Sequence, residues 1–109
     1  MIIRKPDSWG YLIIWEFRVR LRMKKRFEAA YGPEGEWARF FGQEKQYLGT
    51  ELIRDLKRSR TYLTLDFWTS QKAYEKFRKR HAAEYKAIDL KCKALTESEH
   101  EIGGYVQAG

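Results

Sequence analysis

The sharpest change of period along the chain lies at Thr61 to Phe77, which reads TYLTLDFWTSQKAYEKF. Its first half alternates as a strand does, with Leu63, Leu65 and Phe67 on one side and Tyr62, Thr64, Asp66 and Trp68 on the other. Ser70 then stands where a helix N-cap belongs, and Ala73, Tyr74 and Phe77 recur at helical spacing, which predicts a helix over Gln71 to Arg80. Trp68 sits at the joint of strand and helix. It is the expected structural hub, since a side chain there must touch both the sheet and the helical layer.

The rest of the chain can be arranged around that joint. Residues 1–10, with Pro6 and Asp7-Ser8, read as an extended lead-in. Tyr11 to Val19, YLIIWEFRV, is a strand whose odd positions are all apolar and whose even positions begin apolar with Leu12 and Ile14. Such a strand needs cover on both faces, one from the chain's own helices and one, most simply, from a second copy. Leu21 to Tyr31 changes to a helical stripe through Met23, Phe27, Ala30 and Tyr31. Gly32-Pro33-Glu34-Gly35 breaks it, and Trp37, Phe40 and Phe41 resume helical spacing as far as Gly42. Gln46 to Leu56 predicts a strand, joined through Lys57 to Arg60 to the strand that starts at Thr61. Ala82 to Thr96 is expected to be helical, and Glu101 to Gln107 a short last strand. The order β-α-β-β-α-(α)-β fits a ferredoxin-like α+β fold, a split βαβ antiparallel sheet with helices on one face, in a single domain.

Composition narrows the function classes. The chain has 109 residues, of which 43% are hydrophobic and 16% aromatic, which suits one packed core rather than disorder. No apolar run is long enough for a membrane span, no secretory signal is evident, and a lone cysteine, Cys92, cannot form an internal disulfide. A cytoplasmic location is the expectation. The net charge of +7 comes from three basic runs, Arg18 to Arg26, Lys57 to Arg60 and Lys76 to Arg80, interspersed with fifteen acids. RNA-recognition domains share the element order, but their third strand follows a K/R-G-F/Y-G/A-F-V pattern that RTYLTLDFW does not. Nucleic acid is therefore not the expected partner.

The strand-helix segment LTLDFWTSQKAYEKF resembles the hallmark of the antibiotic biosynthesis monooxygenase domains, whose third strand ends in Trp with a Ser two residues on and an aromatic helix next. IIWEFRV, the Glu36 to Phe41 segment, GTELIRDL and LTESEHEIGGY look like one branch of that family, so that the resemblance runs from Tyr11 to Tyr105. It implies a homodimer of ferredoxin-like subunits, a dimeric α+β barrel, meeting through their sheet faces. What it implies about chemistry is broader: some members oxidise aromatic molecules with oxygen without metal or flavin, others degrade haem, and many have no known reaction. The positions that match the haem-degrading members' Trp and His are Phe77 and Ala87, and their first-strand Asn falls near Glu16 or Phe17. Without an axial imidazole that route lacks its iron ligand. The resemblance thus implies a cofactor-free monooxygenase or oxidoreductase acting on a small aromatic or quinone-like molecule. The alternative is a non-catalytic ligand-binding or structural dimer of the same fold.

Candidate chemistry is sparse. There is no G-x-S-x-G, no metal-binding spacing around His81 or His100, and no glycine-rich phosphate loop. The aromatic set stands out instead. Trp15, Phe17, Trp37, Phe41, Phe67 and Phe77 are the expected lining of a pocket between sheet and helices, and flat walls suit a flat ligand. A group that deprotonates or orients the substrate would come from Tyr74, His81 or Tyr85. Glu16, Arg18, Arg54 and Asp66, with Tyr62 and Thr64, are expected on the opposite face of the sheet; paired carboxylates for acid–base work are one reading of the set, and salt bridges across a dimer interface are the expected one.

Overall fold

Four strands and four α-helices follow one another in the computed structural model, which describes residues 6–108; the part of the lead-in at 1–5 lies outside the described residues. The strands are β1 (Tyr11–Val19), β2 (Tyr47–Arg54), β3 (Thr61–Trp68) and β4 (Thr96–Tyr105). The helices are α1 (Lys24–Tyr31), α2 (Glu36–Phe41), α3 (Gln71–Arg80) and α4 (Ala82–Cys92). All pairings are antiparallel and the sheet order is β2-β3-β1-β4, so the two strands that are richest in apolar residues occupy the centre. The helices cover one face. This is the ferredoxin-like α+β fold that the pattern predicts.

The joint at Trp68 is built as the residues dictate. Ser70 Oγ accepts the Ala73 N–H at 3.1 Å and so caps α3. Trp68 is wholly buried, with its ring against Phe41, Tyr47, Tyr74 and Phe77 at centroid distances of 5.4–5.6 Å. The main chain crosses tightly beside it: a Cβ on Gly10 would lie 1.8 Å from the Thr69 carbonyl oxygen, so only glycine fits there. Gly49, at φ 133°, takes up the register shift that lets Tyr47 pair with Trp68.

The boundaries of α1, α4 and β4 differ from the sequence pattern. The last helix ends at Cys92, a 3₁₀ turn covers Lys93–Leu95, and β4 starts at Thr96 rather than Glu101. Thr96 to Glu101, TESEHE, has no apolar alternation because β4 is an edge strand with most of its residues exposed. Leu21 lies outside α1 as an exposed turn residue.

The larger correction concerns the faces of β3. Trp15 pairs with Thr64, Ile13 with Asp66 and Phe17 with Tyr62, so Tyr62, Thr64, Asp66 and Trp68 all point to the helices. Arg54, opposite Tyr62, shares that face. Leu63, Leu65 and Phe67 lie on the other face, with Leu12, Ile14 and Ile53. Alternation fixes which residues travel together but not which set goes inward. Here the bulk of Tyr62 and Trp68 fills the space under the helices, and the more apolar set faces away from them, partly uncovered. Phe67 is buried there by the edge of the Trp9 ring, 5.5 Å away, while Ile53 stays 40% exposed.

Candidate functional site

The helix-facing surface of the sheet is not packed solid. A cavity of about 200 Å³ lies between it and the helices, open at one side. Strand alternation delivers Trp15 and Phe17 from β1, Thr50 from β2, and Thr64 and Asp66 from β3 to its floor. Tyr31, Trp37, Phe41, Tyr74 and Tyr85 come down from the helices as aromatic walls, and Arg78, Asp89 and Glu99 complete the lining.

Asp66 is the chemical centre of this space. Its side chain is buried among aromatic rings, and burial pushes its carboxyl up to about 6, opposed only by one hydrogen bond from Thr50. Thr50 Oγ1 donates to Asp66 Oδ1 at 2.5 Å, and Tyr47 OH lies 2.5 Å from the same Thr50 oxygen. Because the Thr50 proton is committed to Asp66, the Tyr47 hydroxyl donates into the chain. A carboxylate held this way is basic enough to take a proton near neutral pH and has a route along which its charge is supported.

The tyrosines have the opposite character. Burial raises both Tyr74 and Tyr85 above the ordinary phenol value, and the Arg78 cation only partly offsets this. They stay protonated and serve as hydrogen-bond donors or flat walls, not as bases. Arg78 Nη1 donates to Tyr74 OH at 2.6 Å, while its guanidinium carbon sits 3.7 Å from the centre of the Tyr85 ring. At the rim, Glu99 is raised by burial and by the neighbouring Asp89 carboxylate. Among the described residues no group of three or more His, Cys, Asp or Glu side chains is placed to hold a metal ion.

The structure brings together Trp15, Phe17, Trp37, Phe41, Tyr74 and Tyr85 of the residues singled out from sequence. It does not bring Phe67, which is on the opposite face, or Phe77, which is buried beneath Trp68 and Phe40 away from the cavity. His81 is also elsewhere, at the α3–α4 junction, with its ring 4.5 Å from Phe77 and its Nδ1 3.0 Å from Glu84 Oε1. Thr50 and Arg78 escaped sequence reasoning as site residues, and Asp66 was expected on the opposite face of the sheet. A usable signal existed for Asp66, an acid sharing its strand side with Tyr62 and Trp68.

No family model matches the chain. No curated protein matches it either. Solved structures do match. SnoaB from Streptomyces nogalater, a cofactor-independent oxygenase, aligns over 94% of this chain and 96% of its own at 16% identity and TM-score 0.64. A conserved protein from Methanosarcina mazei aligns over 93% and 95% at 8% identity and TM-score 0.67. A Bacteroides thetaiotaomicron protein of unknown function, described as a possible oxidoreductase, aligns over 94% and 100% at 17% identity and TM-score 0.61. The chain therefore shares its fold with these structures over nearly its whole length.

Proposed function

We propose that this protein is a cofactor-free monooxygenase that oxidises a small, electron-rich phenol or naphthol with molecular oxygen, working as a homodimer. The observation that carries the reading is a buried carboxylate of near-neutral basicity, Asp66, on the floor of an aromatic-walled cavity. A cavity of ~150 Å³ holds a benzene, so about 200 Å³ suits one or two fused rings. Likeness in fold to an oxygenase described as cofactor-independent supports the same class.

Asp66 takes the phenolic proton, leaving an oxyanion whose charge spreads to the para carbon. The anion passes one electron to oxygen, the radical and superoxide combine at that carbon, and the peroxide anion takes back the proton held by Asp66. Loss of water from the resulting hydroperoxide, with departure of the para C–H proton, leaves a second carbonyl. For 1-naphthol the balance is naphthol plus O₂ giving 1,4-naphthoquinone plus water. The aromatic walls exclude bulk water and orient the ring, while Tyr74 OH and the Arg78 guanidinium are available to hold the oxyanion.

The dimer would cover the sheet face away from the helices, where Ile14, Leu63 and Leu65 are half-buried and Ile53 is exposed. That face holds the more apolar set of β3, an arrangement that costs stability in water unless a second surface meets it.

The test is oxygen uptake by metal-chelated, flavin-free protein with 1-naphthol under ¹⁸O₂. One labelled oxygen in the quinone, with uptake abolished in Asp66→Asn, is the expected result. Saturable quenching of tryptophan fluorescence by naphthol without oxygen uptake would instead favour a ligand-binding dimer.

A further inference from the structure

Two of the basic runs in the sequence, far apart along the chain, meet at one end of the sheet. Val19 N–H donates to the Arg60 carbonyl at 2.8 Å, and Arg18 pairs with Thr61, so the segment entering α1 lies beside the β2–β3 turn. Between them is a groove of about 400 Å³ whose charged walls are Lys24, Arg54, Lys57, Arg58 and Arg60, against a single carboxylate, Asp55.

That carboxylate is already spent on the turn. Asp55 Oδ1 accepts the backbone N–H of Lys57 at 2.8 Å and of Arg58 at 2.7 Å, and Oδ2 accepts from Arg58 Nε at 3.1 Å. Arg58 also reaches Glu16 at 2.8 Å, and Arg60 is tied to the Val19 carbonyl and to Glu97. Arg60 is held at φ 57°, a left-handed conformation that these two bonds hold in place. Two of the five cations are thus fixed as walls. Lys24, Arg54 and Lys57 make no ion pair with the described residues, and all three face one hollow.

We infer that this groove is a binding site for a phosphate-bearing small molecule, with room for a pyrophosphate-sized group. Arg54 offers a planar fork that matches two phosphate oxygens, and Lys24 and Lys57 add mobile point charges on either side. Three like charges around one hollow repel one another, and a multiply charged anion relieves that repulsion. The groove offers no stacking platform for a base: Tyr62 forms its floor but is only 3% exposed, with its ring packed against Phe27. The third basic run lies on α3 and does not extend the groove into a track for a nucleic-acid strand. The site is separate from the aromatic cavity and stands or falls independently of the oxygenase reading.

The experiment is calorimetric titration of inorganic pyrophosphate into the full chain at low ionic strength. Saturable binding at one site per chain is expected, weakened at least about tenfold in Arg54→Gln/Lys57→Gln and less than about threefold in Lys72→Gln/Lys86→Gln, which removes equal charge from α3 and α4. All four side chains are exposed, so thermal unfolding should show both variants folded. Absence of saturable heat, or equal weakening in the two variants, overturns the site. Single-stranded RNA binding more tightly than pyrophosphate, and equally impaired by Lys76→Gln/Lys79→Gln, overturns it in favour of nucleic acid.

Discussion

Replacing Asp66 with Asn should make the protein more stable at neutral pH and leave it unchanged in acid. The carboxyl moves from its usual 3.8 in the unfolded chain to about 6 in the folded one, because folding buries it. Below pH ~4 both states hold the proton and the group costs nothing. As pH rises from ~4 to ~6 the unfolded chain releases its proton first, so the folded protein binds more protons and loses stability. Above that window the loss is complete. About two pH units at roughly 1.4 kcal/mol each give ~3 kcal/mol. Asn carries no charge, keeps an oxygen to accept the Thr50 hydroxyl, and escapes this cost. Urea unfolding of both proteins from pH 3.5 to 8 isolates the effect, since every other titrating group is common to the pair. The expected difference is near zero at the acid end and about 2–3 kcal/mol in favour of Asn at pH 8. A difference independent of pH, or one that favours Asp at pH 8, would refute the burial that makes Asp66 a base.

Three further outcomes follow from the packing. Trp68→Ala should cost ~3–5 kcal/mol in chemical denaturation, because the indole is wholly buried among four aromatic rings; a loss under ~1 kcal/mol would remove it as the anchor of strand to helix. Ser70→Ala should cost ~1 kcal/mol through loss of the α3 cap, and a glycine there should cost only a few tenths. Leu65→Lys should convert a dimer of 13.1 kDa chains into monomers in sedimentation, whereas a wild-type protein that sediments as a monomer at micromolar concentration would end the shared-face proposal.

Much of the fold was legible because its central elements carry clean periods. β1, β3 and α3 begin and end where alternation, the Ser70 cap and the helical spacing put them. β4 was harder to see, since an exposed edge strand needs no apolar alternation, and TESEHE reads as the end of a helix or as a loop. Part of the cavity's aromatic wall could be read from the sequence, in Trp15, Phe17, Trp37 and Phe41, whereas Phe67 and Phe77 lie elsewhere and the polar centre was assigned to the wrong face. Both sides of β3 carry bulky residues, so composition pointed Leu63, Leu65 and Phe67 inward and sent Asp66 to the outer face. The decision belongs to the register with β1, in which Ile13 meets Asp66 and Trp15 meets Thr64. His81 is one of two histidines and directly follows the aromatic helix α3. The α3–α4 junction turns its ring onto Phe77.

The most direct test of Asp66 as the base is the pH dependence of kcat/KM for 1-naphthol oxidation in wild-type and Asp66→Asn protein. A rising limb with an apparent pKa of about 6 in the wild type, lost together with most of the activity in the variant, is the expected result. An Asn variant that oxidises naphthol at the wild-type rate with the same pH profile would contradict it.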